Sequence, residues 1–355
     1  MTSKDSTENY FWCMNHEYFM QRCINLAKNG LGHTSPNPMV GCVIVVNNQI
    51  IGEGYHTKAG MPHAEVEAIN SVNNKELLKK ATIYVSLEPC SHFGKTPPCS
   101  NLIIQHKIPK VVVGSTDPNP QVAGSGIKRL QENGIEVISG ILQNECNQLN
   151  KRFFTYHTQK RPFIMLKWAQ TQDGFIDKER ANDELPLKIT SKNASRWVHQ
   201  QRATEDAILI GKSTLLKDNP SLTTRLVGGK NPIPIVLGWP TEHLDFKLLN
   251  LNQKVLVINE TPPESNANIE LINQNPKDLK QVLNELYKRE IQSVLVEGGT
   301  TVLQSFIDNG FWDEVHVFEN RELISKGINA PAFDFKKIGQ PCRLDEETLW
   351  YCTKS

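Results

Sequence analysis

Short unbroken apolar runs, separated by helix-like stretches, recur along most of this chain, and that pattern leaves it few folds. Runs of this kind mark buried strands, and their alternation with helices predicts an α/β chain with mostly parallel sheets. Val40–Val46 is a continuous β-branched run, and Asn47-Asn48 turns it into Ile50-Ile51, which predicts a hairpin. Ala81–Leu87, Lys110–Gly114 and Ile135–Ile138 read as further strands. Helices are expected over Met14–Asn29, where Gly30 and Gly32 stop the run, from His63 onward, over Asn101–His106 and over Ile127–Glu132.

From Leu149 to Arg161 the chain turns polar and basic, and Pro162 precedes a new strand at Phe163–Trp168. The second half alternates again. Strands are expected at Ala207–Ile210, Ile233–Leu237, Lys254–Ile258 and Ser293–Val296, and helices at Leu279–Arg289 and Val302–Ile307. A chain of 355 residues exceeds one typical core, so two domains are expected, 10–150 and 160–355.

A formal net charge of +1 with no Lys/Arg tract argues against a nucleic-acid-wrapping protein. No apolar span approaches about 20 residues, so neither a transmembrane helix nor a membrane partner is expected. Met1–Asn9 is polar and does not read as a secretory signal. The eight cysteines are scattered apart from Cys90 and Cys99, which suits reduced thiols in a cytoplasm.

One short constellation carries chemistry. His63-Ala64-Glu65 opens a helix after a Gly/Pro loop, and Pro89-Cys90 follows a buried strand, with Cys99 beyond it. One imidazole and two thiolates suit a zinc ion whose fourth position stays open for water, which such a site acidifies to a pKa of about 7. Glu65, two residues past the histidine, is placed as general acid/base, the arrangement of zinc nucleobase deaminases. A closed structural zinc site would need a fourth ligand, and His92 is the nearby candidate. Cys90 is expected at the start of a turn or helix, where backbone N–H groups favour its thiolate. The generic signature has two residues between its cysteines, whereas eight intervene here, Ser91–Pro98, placing His92 and Lys95 beside the substrate.

In the second half, Gly298-Gly299-Thr300-Thr301 joins a strand to a helix, as in phosphate-binding turns, although many α/β chains use such glycines for sterics alone. Gly211-Lys212-Ser213-Thr214 is not a phosphate-binding P-loop, because Asp206 stands where its first glycine must be.

The block Glu88–Cys99 resembles the deaminase half of the bifunctional pyrimidine deaminase/reductase family of riboflavin biosynthesis, as do Thr34–Gly41 and Asp117–Gly124. These blocks are spread between residues 34 and 124 of the first 150. The resemblance implies a cytidine-deaminase-like three-layer domain followed by a dihydrofolate-reductase-like domain, with Zn2+ and NADPH as cofactors. It also implies a phosphorylated pyrimidine substrate and a homo-oligomer, dimer or tetramer. Asn37, His56, His92 and Lys95 would line the pyrimidine pocket. Asp117 and Asn119 would do so too, or serve the turn alone, since Asp-Pro and Asn-Pro are turn formers.

Leu166–Ala169, Asp173-Gly174, Ile189–Ser191, Arg202-Ala203, Asp206–Gly211, Asp218–Pro220, Leu222–Arg225 and Val296–Gly299 follow the order of the family's reductase half. By that resemblance Ala169, Lys188, Thr214, Asp218 and the turn Gly299, Thr300, Thr301, Val302, Leu303, Gln304 and Ser305 contact the cofactor. Arg202, Leu222, Arg225 and Glu297 hold the substrate, with the arginines on its phosphate, a group the guanidinium fork matches. Lys167 and Glu297 are candidates for proton handling. The chain departs from the family pattern in a longer loop, Lys178–Leu187, in which Pro186 takes the place of a substrate-contacting serine. It departs again at Val317–Arg321, where a rearrangement of the C-terminal strands is expected. A deaminase carrying an inactive C-terminal scaffold is the alternative reading.

Overall fold

The computed structural model describes residues 4–91, 97–119, 122–180, 184–241, 245–251, 253–261 and 267–354, with side chains from residue 16 onward. It divides into two compact units, 1–159 and 160–355.

The first unit runs α1 (Lys4–Ala27), β1 (Gly41–Val46), β2 (Gln49–Tyr55), α2 (Ala64–Ser71), β3 (Thr82–Leu87), α3 (Cys99–Gln105), β4 (Lys110–Ser115), α4 (Ser125–Glu132), β5 (Glu136–Ser139), α5 (Gln143–Leu149) and α6 (Lys151–Gln159). Its five-stranded sheet has the order β2-β1-β3-β4-β5. β1 is antiparallel to both neighbours, whereas β3, β4 and β5 are parallel. Asn47 and Asn48 both take positive φ, 49° and 60°, as a two-residue hairpin turn requires.

Side chains alternate across the sheet. Ile44, Ile83, Val85, Val111 and Val113 meet Ala68, Ile69, Ile103 and Leu130 on one face. Val43, Val45, Tyr84 and Val112 meet Phe19, Met20, Cys23 and Cys146 on the other. Helices therefore cover both faces, giving three layers. α2 lies close on β2, where a Cβ at Gly54 would sit 2.4 Å from the Ala68 nitrogen. Lys75 Nζ donates to the carbonyls of Ile69, Asn70 and Val72 at 2.5, 3.0 and 2.7 Å, satisfying the open end of α2.

The polar stretch 149–161 is largely helical, as α6. At its start, buried Asn150 accepts the Met39 N–H at 2.8 Å and donates to the Met39 carbonyl at 2.9 Å. Asn150→Ala strands both backbone groups, so chemical denaturation should show a loss of about 2–4 kcal/mol.

The second unit runs β6 (Phe163–Gln170), β7 (Phe175–Asp177), α7 (Lys192–Thr204), β8 (Ala207–Gly211), α8 (Lys212–Asp218), β9 (Ile233–Leu237), β10 (Val255–Asn259), β11 (Ile269–Asn273), α9 (Leu279–Lys288), β12 (Ser293–Val296), α10 (Thr300–Asp308), β13 (Glu314–Glu319), β14 (Ile328–Asn329), α11 (Phe335–Ile338), β15 (Gln340–Leu344) and β16 (Glu347–Thr353). Nine strands form one sheet in the order β11-β10-β9-β8-β12-β6-β13-β16-β15. All neighbours are parallel except β13–β16 and β16–β15. The altered segment at 317–321 leaves β13 in place, parallel to β6 from Glu314 to Glu319. Apolar side chains again fill both faces. The chain leaves β8 toward β9 on one side and leaves neighbouring β12 toward β13 on the other. That reversal opens a crevice beyond the carboxyl ends of β8 and β12, where ligands of such sheets bind.

Candidate functional site

In the first unit the carboxyl end of β3 and the starts of α2 and α3 converge. His63 is the residue before α2, its side chain unused for capping. Cys90 follows β3, and Cys99 is the first residue of α3. Cys90 was expected at the start of a turn or helix; the described helix begins at Cys99, directly after Pro98, whose φ of −57° and ψ of 141° are not helical. Cys90 still receives a backbone N–H, from Cys99 at 3.2 Å.

His63 Nδ1 lies 3.7 Å from Cys90 Sγ and 3.3 Å from Cys99 Sγ. The three ligand atoms fall within 4.8 Å of one another. Tetrahedral zinc with Zn–N of about 2.0–2.1 Å and Zn–S of about 2.3 Å separates nitrogen from sulfur by about 3.6 Å. The donor set and its spacing therefore fit zinc. The two thiols share a negative charge. Cys99's hydrogen bond, then that of His63, draws the Cys90 thiol well below its ordinary range, while Cys90 pushes Cys99 up. The hydrogen bond to Cys90 in turn raises His63.

Glu65 lies in the first turn of α2, 3 % exposed. Burial, and after it the charge on Cys90, pushes its carboxyl up to about 7. A group so poised both accepts and returns protons at neutral pH. His56 is buried, with Nδ1 3.0 Å from the Pro62 carbonyl and Nε2 3.1 Å from Asn37 Nδ2, and its ring stands edge-on to His63 at 5.6 Å. Asn37 and His56 thus join the site. Asp117 Oδ1 accepts the Asn119 N–H at 2.8 Å, so the turn role is present in the structure. His92 and Lys95 lie outside the described residues.

In the second unit the carboxyl ends of β6, β8 and β12 carry Ala169, Gly211 and Glu297-Gly298-Gly299. The Gly299 N–H donates to Thr214 Oγ1 at 2.9 Å, bringing together two residues expected at the cofactor. These paired helix starts sit at the reversal between β8 and β12, the place where sheets of this kind bind a dinucleotide's phosphates. That arrangement fits a nicotinamide dinucleotide. Thr300, Thr301 and Val302 open α10, whereas Leu303 turns its side chain into the core. Further along, Ser305 Oγ bonds the Val302 carbonyl, and Gln304 bridges Asp308 and the Ala332 N–H. Asp218 is engaged by Arg180, which also holds Asp177 at 2.6 Å and so pins the longer loop. Pro186 and Lys188 lie exposed between β7 and α7.

Arg202 is engaged within the protein. Its Nε and Nη2 grip Glu297 at 2.9 and 2.8 Å, and Nη1 donates to the Thr223 carbonyl at 3.2 Å. One edge of its guanidinium thus meets Glu297, the other residue expected at the substrate. Arg225 remains exposed, with one long contact, 3.4 Å, to Ser221 Oγ. Leu222 is buried with φ of 53°, a strained conformation for leucine. Burial alone would raise Glu297, but Arg202 and then Lys167 outweigh it and hold the carboxyl at about 2. Lys167 is lowered, chiefly by burial.

Two polar residues at these sites were not expected. His199, three residues before Arg202 on α7, is 4 % exposed with Nδ1 unpartnered, and burial followed by Arg202 and Arg225 lowers it to about 4. The i, i+3 spacing to Arg202 was the available signal. The other is Glu88, beside the metal ligands.

Comparison with known proteins gives a consistent result. The family model for the cytidine and deoxycytidylate deaminase zinc-binding region matches residues 14–115, and that for the RibD C-terminal domain matches 162–320. The chain is 39% identical to the riboflavin biosynthesis protein RibD of Aquifex aeolicus over 339 residues, covering 93% of this chain and 94% of that one. It is 41% identical to RibD of Synechocystis over 340 residues, covering 92% and 91%. Among solved structures, the diaminohydroxyphosphoribosylaminopyrimidine deaminase/5-amino-6-(5-phosphoribosylamino)uracil reductase of Thermotoga maritima matches with a TM-score of 0.87 and 39% identity, over 97% of this chain and 99% of that one. Acinetobacter baumannii RibD matches with a TM-score of 0.86 and 32% identity, over 97% and 99%.

Proposed function

Because the chain belongs to the RibD family of bifunctional deaminase–reductases of riboflavin biosynthesis, we propose that it acts twice on one phosphoribosylated pyrimidine. In our reading residues 10–150 deaminate 2,5-diamino-6-(5-phosphoribosylamino)pyrimidin-4(3H)-one to 5-amino-6-(5-phosphoribosylamino)uracil. Residues 160–355 then reduce its ribosyl group to ribityl with NADPH. The observation that carries the first step is the His63, Cys90, Cys99 set with buried Glu65 beside it.

Zinc held by these three residues supplies water acidic enough to act as nucleophile at neutral pH. Glu65 would take the proton that this water releases and deliver it to the ring nitrogen next to the amino-bearing carbon as oxygen adds there; it would then take the proton of the added hydroxyl and pass it to the amino group, which leaves as ammonia while the carbonyl forms. In the metal-free protein burial pushes its carboxyl up to about 7. Asn37 and His56 orient the ring, and the resemblance adds His92 and Lys95.

In the reductase half a bound NADPH would be the hydride source for the sugar C1, whose bond to the ring oxygen would open. Ala169, Lys188, Thr214, Asp218 and the 299–305 turn hold the cofactor. Leu222 and Arg225 hold the substrate, with Arg225 on the phosphate, while Arg202 fixes Glu297. Lys167 delivers the proton that the opened sugar requires. Glu297 stays ionised and opposes the burial that lowers Lys167. Assembly into a dimer or tetramer rests on the resemblance alone. No helix among the described residues is long and apolar enough to cross a membrane.

The test is NADPH oxidation by zinc-loaded protein given the diaminopyrimidine ribosyl phosphate. Ammonia release followed by oxidation is expected. Ammonia without oxidation would indicate a deaminase with an inactive C-terminal unit. Neither would overturn the substrate assignment.

A further inference from the structure

Glu88 has no part in the chemistry above, yet it is the polar side chain most thoroughly built into the surroundings of the metal ligands. It follows β3 directly, precedes Pro89-Cys90, and is 4 % exposed. Its carboxylate accepts four backbone N–H groups. Oε2 takes those of Asp117 and Gly124 at 3.2 and 2.9 Å, and Oε1 takes those of Gly126 and Ile127 at 2.8 and 3.2 Å. The first two donors stand at the two ends of the 117–124 loop, and the other two belong to the first turn of α4. A single carboxylate therefore closes the loop and anchors the start of the helix after it, where negative charge is favoured.

Two further contacts fix the same seam. A Cβ at Gly126 would lie 2.0 Å from the Pro89 carbonyl oxygen, so only glycine lets the two backbones approach. One residue past Cys90, Ser91 Oγ meets Ser125 Oγ at 2.6 Å. Cys90 is thus flanked on both sides by contacts to one loop–helix junction.

We propose that Glu88 is a positioning residue for deamination: it locks Asp117, Gly124 and the first turn of α4 to the Cys90 segment, and through Asp117 and Asn119 sets how tightly the pyrimidine is held. The inference rests on reading this unit as a deaminase, with Asp117 and Asn119 at the pyrimidine as the resemblance implies. It assigns Glu88 no proton transfer and no metal bond. Asp117 and Asn119 form one local turn, in which Asp117 Oδ1 accepts the Asn119 N–H at 2.8 Å.

The test uses full-length zinc-loaded protein carrying Glu88→Gln. Glutamine keeps the shape but replaces one acceptor oxygen with an NH2 group, which then opposes two N–H donors. The KM for the diaminopyrimidine ribosyl phosphate should rise about 10²-fold, the scale of a site misplaced by roughly 1 Å. The kcat should change less than about threefold. Zinc content and reduction of the already deaminated substrate should match wild type. Glu88→Asp, which keeps the charge with a shorter reach, should give an intermediate KM. Unchanged KM in Glu88→Gln would overturn the proposal, as would a fall in kcat at constant KM. Loss of zinc or of folding in both variants would also overturn it, since Glu88 would then be a structural residue only. Absence of deamination in the wild type would instead count against the deaminase reading itself.

Discussion

Replacing Glu65 with glutamine is expected to cut ammonia release by on the order of 10³-fold while zinc stays bound. Glutamine is nearly isosteric, and the His63, Cys90 and Cys99 ligands are untouched, so metal analysis separates loss of chemistry from loss of the site. Retained activity with retained zinc would remove Glu65 from the mechanism. The same substitution has an opposite effect on stability. In metal-free protein, burial first and then the Cys90 charge raise Glu65 from an ordinary 4.5 to about 7. The folded state thus holds this proton more tightly than the unfolded one. Its favourable contribution is complete below about pH 4.5 and is lost as pH rises through about 7. A raise of that size corresponds to roughly 3 kcal/mol. Chelator-stripped Glu65→Gln should therefore resist urea better than stripped wild type at pH 8, by about 3 kcal/mol, and the difference should vanish toward pH 4. A residue that weakens its own fold when ionised, and is kept for chemistry, is the expected behaviour of an active-site acid.

The second large effect is expected at the Arg202–Glu297 pair. Both side chains are nearly enclosed, at 13% and 11% exposure, and they meet through two parallel bonds. Glu297→Gln leaves the guanidinium buried without its counter-charge, a loss of about 3–5 kcal/mol. It should also reduce NADPH oxidation on the order of 10²-fold or more, because Lys167 loses the carboxylate that opposes the effect of its burial. Ammonia release should be unaffected. Replacing both partners together, Arg202→Met with Glu297→Leu, should recover much of the stability and none of the reduction. Recovery of reduction in the double variant would show the pair to be structural. The pH signature runs opposite to that of Glu65. Although burial opposes it, Arg202 and then Lys167 hold Glu297 at about 2, so its contribution is present above the ordinary carboxylate range and fades as pH falls from about 4.5 through about 2.

The deaminase site was legible because its chemistry is carried by a few residue types at short spacing. His63 and Glu65 are two apart, and the cysteines are separated by eight residues. The hairpin was equally open to reading, since two consecutive asparagines tolerate the positive φ that the turn requires. Glu88 was not, because its four partners lie 29 to 39 positions away and are backbone groups, which leave no mark on residue identity. The same applies to Asn150 and Met39, 111 positions apart. Strand existence outran strand order: Ser293–Val296 was expected as a strand, but nothing local to it says that it lies between β6 and β8. β15 and β16 escaped notice because β15 buries no residue and β16 buries Glu347, Leu349 and Cys352, a spacing without strict alternation. The Arg202–Glu297 pair was not legible either, since its members stand 95 positions apart and only the fold brings them together.

The order of the nine-stranded sheet also governs when its centre can be completed as the chain is made. β6 pairs with β12 on one side and β13 on the other, so it finds neither neighbour until residues beyond 293 have emerged. For more than 120 residues of synthesis, an apolar strand rich in Phe, Ile, Met and Leu has two open edges. Strands β8 to β11 can pair among themselves meanwhile, and the first unit draws every strand of its own sheet from residues before 140. The ribosome therefore delivers a finished N-terminal unit together with a half-built C-terminal one, and aggregation during translation is a hazard concentrated in β6.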